Sequence, residues 1–537
     1  MTAISAASGA EIASPAAAAQ RAWPVALAGL AVWLLAILAN APLKLDHDES
    51  YFLAAGRILN QGSQLYTDWV DFNTTAPSGL GRYSAWLASV LHTPLDYTHK
   101  STIFILALLG LGVTFAVMLP VLRKPDPARW VLGVGIPAVL LFATPELGRR
   151  EQMLCIGAMG WAASIVLAAS GIRRSWPVAV AAGLVAGLAL YEKPHFALFG
   201  LALGLIDLLR VRGRLDRLLI STWVTAAVSI SLYLWLILAN PDFLAVILPA
   251  TVDLYGPLGV GWQATSQKLL TESGLRAAAL FLAAFALSRQ TESRPPWPAL
   301  AVAGAFVVTA AALYIQQGLG FEYHRLPLDI GFNLICLGLL VWGLNGGPIS
   351  RSRLFHLGGI AAAALMLVSA MGSQLTYMMR YPHRETITLG ALLEAMRPPH
   401  LGDPILVITT DNHPVSEALI LLDARWSSDF ISHFPIPTLI RQDGRDGLLR
   451  PLPEEKRERW TRWFRGKMSD KFCAQPPVRV LVETSEYPTF FRNFGFDMLA
   501  WLREDPAFDA CWAGARLSPV GAPIKFEHYT YQAYAAP

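Results

Sequence analysis

The sequence predicts a polytopic α-helical membrane protein of about eleven transmembrane helices that ends in an extracytoplasmic soluble α/β domain. Three observations predict it. Hydrophobic residues make up 54% of the chain and charged residues only 15%, more apolar surface than a water-soluble fold of this length hides. Apolar stretches of the roughly 20 residues needed to cross about 30 Å of hydrocarbon recur from Trp23 to near Ser373. Beyond that point charges and prolines are spread throughout.

In order, the expected spans are Trp23–Ala41, Thr102–Leu122, Trp130–Thr144, Met153–Ser170, Trp176–Tyr191, His195–Leu209, Leu218–Leu238, Gly274–Ser288, Trp297–Gln316, Leu328–Gly343 and Leu354–Met371. Pro42 directly after Ala41 hinders signal-peptidase cleavage, so the first is expected to be a retained helix. The chain then divides into a cytoplasmic tail (1–22), a membrane domain (23–372) with a long first loop (42–101), and an outer domain (373–537). The net charge of +4 comes with no basic tract interleaved with aromatics, which argues against nucleic acid as a partner.

The loops alternate in charge. One set carries Arg123, Lys124 and Arg129; Arg173 and Arg174; Arg210, Arg212, Arg214 and Arg217; Arg289 and Arg294; and Arg351 and Arg353. By the positive-inside rule these are cytoplasmic, with the N-terminus, and the C-terminal domain lies outside. The opposite set comprises the first loop, "PELGRREQ", "YEKPH", Asn240–Ser273 and "GLGFEYHRL". It places Arg149, Arg150, Lys193 and Arg325 where the rule disfavours them. A cation near lipid needs a partner, either an anionic ligand or a nearby carboxylate such as Glu146, Glu151, Glu192 or Glu322.

The first loop reads "LDHDESYFLAAGRILNQGSQLYTDWVDFNTTAPSGLGRYSAWL". Asp46, Asp48 and Glu49 stand at the membrane exit, ahead of an amphipathic helix expected over Tyr51–Asn60 and an acidic-aromatic segment with Asp68 and Asp71. Partial desolvation there raises a carboxyl pKa toward the range of a general base. The plainer reading makes Asp48 a helix N-cap, with Glu49 favoured by the dipole.

This order (Asp-Glu, Tyr, a small-residue helix ending in Gly, "LYTDWVDFN", then a Pro opening a hydrophobic stretch) resembles the GT-C glycosyltransferases, above all the protein O-mannosyltransferase and aminoarabinose-transferase-like branch. "GLALYEKPHFAL" and "FEYHRLPL" resemble two later segments of that group, and the resemblance runs from Trp23 to Gly343. It implies a polytopic enzyme that takes a sugar from a polyprenyl-phosphate carrier, with its catalytic carboxylate in the first outer loop. On that resemblance Asp48 is the base and Glu49 its neighbour. Asp46, Arg82, Arg149, Arg150, Glu151, Lys193, Tyr323, His324 and Arg325 are the substrate-binding candidates. One departure stands out: related enzymes often carry a Lys before the Pro that is Pro77 here, where this chain has Ala76.

Other chemistries lack their motifs. His47 between Asp46 and Asp48 is the one tight His–carboxylate cluster, and there is no CxxC or HExxH, so no metal is expected to be required; a divalent ion is the alternative. Neither GxxxxGK[ST] nor GxSxG occurs. Cys155 and Cys336 fall in spans, whereas Cys473 and Cys511 fall in the outer domain, where oxidation is permitted and a disulfide is expected. "PILVIT" and "VRVLVET" read as strands and "FDMLAWLRED" as a helix of a small α/β module.

The function expected is an inverting transfer from a polyprenyl-phosphate sugar to an acceptor hydroxyl of a glycan, lipid or protein, outside the cytoplasmic membrane of a bacterium. A secondary transporter is the rival, although the chain shows no repeated halves. A non-catalytic envelope assembly protein is the third reading.

Overall fold

The computed structural model describes residues 15–41, 45, 47–124, 126–144, 147–290, 295–345, 353–380, 386–412, 415–422, 424–440, 451–485, 495–526 and 529–537. The membrane part runs α1 (Pro15–Asn40), α2 (His47–Asn60), α3 (Thr75–Leu91), α4 (Leu95–Leu122), α5 (Ala128–Leu141), α6 (Arg150–Ala169), α7 (Trp176–Tyr191), α8 (Ala197–Arg210) and α9 (Ile220–Ala239). An irregular segment of π-helical turns around the short α10 (Leu248–Ala250) follows. Then come α11 (Trp262–Gln290), α12 (Trp297–Gln317), α13 (Leu326–Asn345) and α14 (Arg353–Arg380).

Each expected apolar stretch coincides with a helix, and among the described residues seven helices are long and apolar enough to cross a membrane. The chain is a multi-pass membrane protein. Exposed Leu27, Leu38, Leu201, Leu238, Leu275 and Phe281 on the bundle surface are what lipid, rather than water, accepts. Two boundaries move. α11 starts at Trp262, twelve residues before the expected Gly274, because residues 262–273 continue the helix through polar side chains such as Lys268 and Glu272 that give no apolar stretch; further along, Arg276 is met by Asp329 (2.9 Å) and Asn333 of α13. The expected domain boundary at residue 373 falls inside α14.

α2 and α3 are the first-loop helices, and they pack backbone to backbone. A Cβ on Gly56 would fall 2.1 Å from the Arg82 nitrogen, and one on Gly81 2.0 Å from the Phe52 carbonyl oxygen. Only glycine permits that approach.

The C-terminal part comprises α15 (Thr386–Met396), β1 (Pro404–Ile408), α16 (Val415–Leu421), β2 (Arg425–Trp426), α17 (Ile436–Ile440), α18 (Glu454–Ala474), β3 (Arg479–Glu483), α19 (Met498–Arg503), α20 (Pro506–Gly514), β4 (Ser518–Phe526) and β5 (Tyr529–Ala535). The sheet order is β2-β1-β3-β5-β4, with β1 parallel to both β2 and β3, and the β4–β5 hairpin antiparallel to β3. β1 and β3 are buried along almost their whole length, as central strands covered on both faces are. Cys473 of α18 and Cys511 of α20 are joined in a disulfide with Cα atoms 5.4 Å apart, and Cys155 and Cys336 are buried thiols.

This domain sits on the first loop. The Arg57 guanidinium of α2 donates to the Leu419 and Leu422 carbonyls at the end of α16 (3.0 and 2.8 Å). The Val70 amide donates to the Asp429 carbonyl (2.8 Å). Asp253 of the irregular segment accepts from Lys456 Nζ (2.9 Å) and Trp460 Nε1 (3.0 Å) of α18. Phe434 packs its ring against Phe72 and Tyr255. The first loop is thereby enclosed between the helix bundle and the sheet domain.

Candidate active site

α2 begins at His47, one turn earlier than the sequence suggests, so Asp48 and Glu49 occupy its first turn, where the helix dipole favours carboxylates. On the helix they take different directions. Glu49 is buried and meets His99 of α4 (Oε2 to Nε2, 2.8 Å), whose other ring nitrogen meets Ser84 of α3 (2.9 Å). It ties three helices together. Asp48, 16% exposed, pairs with Arg150 at the start of α6 (Oδ2 to Nη2, 3.2 Å) and lies 3.5 Å from His47 Nε2.

The segment between α2 and α3 supplies the other side of Arg150. Its Nη1 donates to Asn73 Oδ1 at 2.5 Å. The Asn73 backbone and side-chain nitrogens both donate to Asp71 Oδ1 (2.9 and 2.8 Å), and Asp71 Oδ2 accepts from Ser78 Oγ at 2.5 Å. Next along α6, Glu151 forms a buried ion pair with Lys193, and His324 Nε2 stands 4.0 Å from Glu151 Oε1. Tyr323 lies at the centre of this group. The Arg149 guanidinium is 4.6 Å and Lys193 Nζ 5.5 Å from its ring centroid, favourable cation–π distances, and the His47 ring is 6.1 Å away.

The electrostatics depart from the sequence expectation. Burial does push the Asp48 carboxyl up, but His47, Arg150, Lys193 and Arg149 together hold it below the ordinary carboxylate range. Asp48 is therefore an ionised acceptor throughout the physiological range. The carboxyl poised near neutrality is instead Glu192, which burial pushes up to about 7 against the pull of Arg150 and with the push of Glu49. Burial also holds the Lys193 ammonium below its usual range, with Arg150 acting in the same direction and Glu151 opposing.

Among the sequence candidates, Asp48, Arg149, Arg150, Glu151, Lys193, Tyr323 and His324 come together; Asp46 lies outside the described residues. Two go elsewhere. Arg82 is exposed on α3 and donates to Asn60 Oδ1 (3.1 Å). Arg325 pairs with Glu272 of α11 and with Asp329 (3.1 Å), in a network with Arg276 rather than with Asp48. Sequence reading missed Asn73 and His99, and it named Asp71 and Glu192 without placing them at the site. "DFN" just before the α3 start was the available signal for Asn73 and Asp71, since Asp and Asn favour such turns. Among the described residues no group of three or more His, Cys, Asp or Glu is placed to hold a metal ion.

A bundle of apolar helices, two loop helices at one end carrying a carboxylate among buried cations, and a sheet domain closing over them make up a fold of the GT-C type. The chain is similar in fold to ArnT from Cupriavidus metallidurans bound to undecaprenyl phosphate: TM-score 0.50 at 12% identity, over 95% of this chain and 97% of that one. The same transferase in its apo state gives 0.49 at 12% identity, over 96% and 98%. The arabinofuranosyltransferase AftD from Mycobacteria gives 0.45 at 15% identity, over 96% of this chain and 40% of that one. No family model and no curated protein sequence matches the chain.

Proposed function

We propose that this protein is an inverting glycosyltransferase that moves a sugar from a polyprenyl-phosphate donor to an acceptor hydroxyl on the extracytoplasmic side of a bacterial cytoplasmic membrane. The N-terminus is cytoplasmic in this reading, and the sheet domain is outside. The observation that carries it is Asp48, paired with Arg150 and with Arg149 and Lys193 close by, beneath that domain. The likeness in fold to a transferase bound to undecaprenyl phosphate supports the donor class.

In this mechanism the acceptor oxygen attacks the anomeric carbon and gives its proton to Asp48. The bond from that carbon to the phosphate oxygen breaks, and the electron pair leaves with the lipid phosphate. Arg149 and Lys193 face the growing negative charge, which they stabilise in a site with little water to screen it. A carboxylate held at low pKa is a weak base, and a weak base suffices when the sugar carbon is already cation-like and has made the attacking hydroxyl acidic. Lys193 also answers the missing Lys at Ala76. Thr74 Oγ1 donates to the Glu192 carbonyl (2.9 Å), which sets Lys193 beside the start of α3.

Asp48→Asn tests the reading. Membranes supplied with radiolabelled undecaprenyl-phosphate sugars should show transfer reduced about 10²–10⁴-fold, the usual loss of a general base, at unchanged protein level and melting temperature. Near-normal transfer by the variant would sink the assignment.

A further inference from the structure

We infer that Asn73 is a positioning residue for this transfer: it fixes the Arg150 guanidinium so that one arm stays on Asp48. The inference rests on the proposed function and assigns a role to a neutral residue that touches neither reacting group.

The geometry is specific about which way Asn73 faces. Both of its nitrogens donate to Asp71 Oδ1, so its side-chain oxygen is turned to Arg150 Nη1. An amide flipped the other way would set an NH₂ against a guanidinium, donor against donor. Three further contacts prevent the flip and hold the loop. Ser78 Oγ donates to Asp71 Oδ2 at 2.5 Å, Tyr66 Oη donates to the Asn73 carbonyl at 2.7 Å, and Thr74 Oγ1 donates to the Glu192 carbonyl at 2.9 Å. Asn73 is thus the middle link of a chain, Ser78–Asp71–Asn73–Arg150–Asp48, anchored in the first turn of α3 and ending at the first turn of α2.

Arg150 has competing places to go. Glu151 and Glu192 both attract it, and a lipid phosphate arriving beside Lys193 would attract it more strongly, because guanidinium binds phosphate as a fork. An Arg150 drawn to the phosphate would leave Asp48 with the desolvation of its site and less of the compensating charge. Asp48 would then pick up a proton just when it has to accept one. Asn is suited to the task because it accepts from Arg150 without adding a charge. A carboxylate at position 73 would compete with Asp48 for the same guanidinium and repel Asp71.

The groups facing Asp48 are His47 on its own helix, Arg149 just before α6 and Arg150 at its start, Lys193 after α7, His324 before α13, and the Tyr255 and Tyr323 hydroxyls. Asn73→Ala frees only Arg150 among them. The expected sign follows: burial then dominates, Asp48 takes up protons at higher pH, and activity is lost on the acid side.

The test is the pH profile of transfer from undecaprenyl-phosphate sugar by full-length protein in native membranes. Any limb that Glu192 contributes near pH 7 is common to both proteins; below it wild type should show no further loss down to about pH 5, and Asn73→Ala should acquire an acid limb there. At pH 5 it should lose about tenfold relative to pH 7.5 for each unit by which the carboxyl comes to titrate above pH 5, with the donor KM little changed. Ser78→Ala, which loosens Asp71 without touching Arg150, should show a smaller shift in the same direction and serves if Asn73→Ala does not fold. A uniform loss at every pH in both variants, or a profile matching wild type, overturns the inference. Asp48→Asn run alongside separates the two claims: transfer surviving that change refutes Asp48 as the base, wild-type membranes without transfer refute the transferase reading, and transfer lost in Asp48→Asn with an unmoved acid limb in Asn73→Ala refutes only the role of Asn73.

Discussion

Adding a single methyl group at Gly56 should disable the protein from about two helical turns away. Gly56 lies on the face of α2 that meets α3, and its Cβ position is 2.1 Å from the Arg82 nitrogen and the Gly81 carbonyl carbon. Those are backbone atoms, which cannot rotate aside. Reaching an ordinary contact of 3.4 Å requires the helices to part locally by about 1.3 Å (3.4 minus 2.1). Overpacking of this kind costs about 1–3 kcal/mol. The functional cost should be larger than the stability cost. Asp48 rides on α2 and meets Arg150 at 3.2 Å across a different element, so a displacement of about 1 Å breaks that pairing, and misplacement of that size can cost about 10²-fold in rate. The assay is sugar transfer together with thermal unfolding for Gly56→Ala, Gly81→Ala and Gly79→Ala. Gly79 is the internal control, since nothing lies within 4 Å of its Cβ position; its Ala variant should keep full activity and gain slightly from helix propensity. Equal behaviour of the Gly56 and Gly79 variants would refute the packing argument.

Other outcomes follow from the same structure. Reducing the Cys473–Cys511 bridge, which closes a loop of 38 positions, should destabilise the sheet domain by about 3–4 kcal/mol on the chain-entropy account; an unfolding transition unmoved by reductant contradicts it. Glu192 sits at about 7 in the folded protein against 4.5 for the free side chain, so the folded state holds the extra proton between those values. Stability should therefore fall as pH rises from about 4.5 to 7 and level off above. Glu192→Gln should remove that slope, and an identical melting-temperature difference between variant and wild type at pH 5 and pH 8 would count against it. Arg57→Ala, which strips two carbonyls at the end of α16 of their donor, should loosen the sheet domain from α2 and speed limited proteolysis after the domain separates; unchanged cleavage kinetics would show the docking rests elsewhere.

The helices were legible because lipid imposes a length and an apolarity on them that a sequence carries openly. Where that signal failed, at the start of α11, the helix runs on through the polar segment 262–273, which carries no apolar stretch. Arg276 of α11 meets Asp329 and Asn333, more than fifty positions on, a pairing that the sequence does not display. The same distance hid the site's finer organisation. That Asp48 and Glu49 stand together at the membrane exit could be read from the sequence, but not that Glu49 turns to His99 while Asp48 turns to Arg150. The direction of the Asp48 shift was read as upward from desolvation alone, because the cations that reverse it come from α6 and from the turn after α7. Arg82 and Arg325 shared the residue type and the expected membrane side of the site cations, and only tertiary pairing with Asn60 and with Glu272 separates them. In the sheet domain, the buried runs of β1 and β3 announced themselves, whereas the exposed β4 and the two-residue β2 carried too little apolar pattern to be seen.

The most direct test of the account is the position of a bound lipid phosphate. Cryo-electron microscopy of the full-length protein in nanodiscs containing undecaprenyl phosphate should show the phosphate against Arg149 and Lys193, within reach of the Tyr323 hydroxyl and facing Asp48. Density for the phosphate at the Arg276–Arg325 network instead, with the Asp48 cluster unoccupied, would contradict a transfer centred on Asp48.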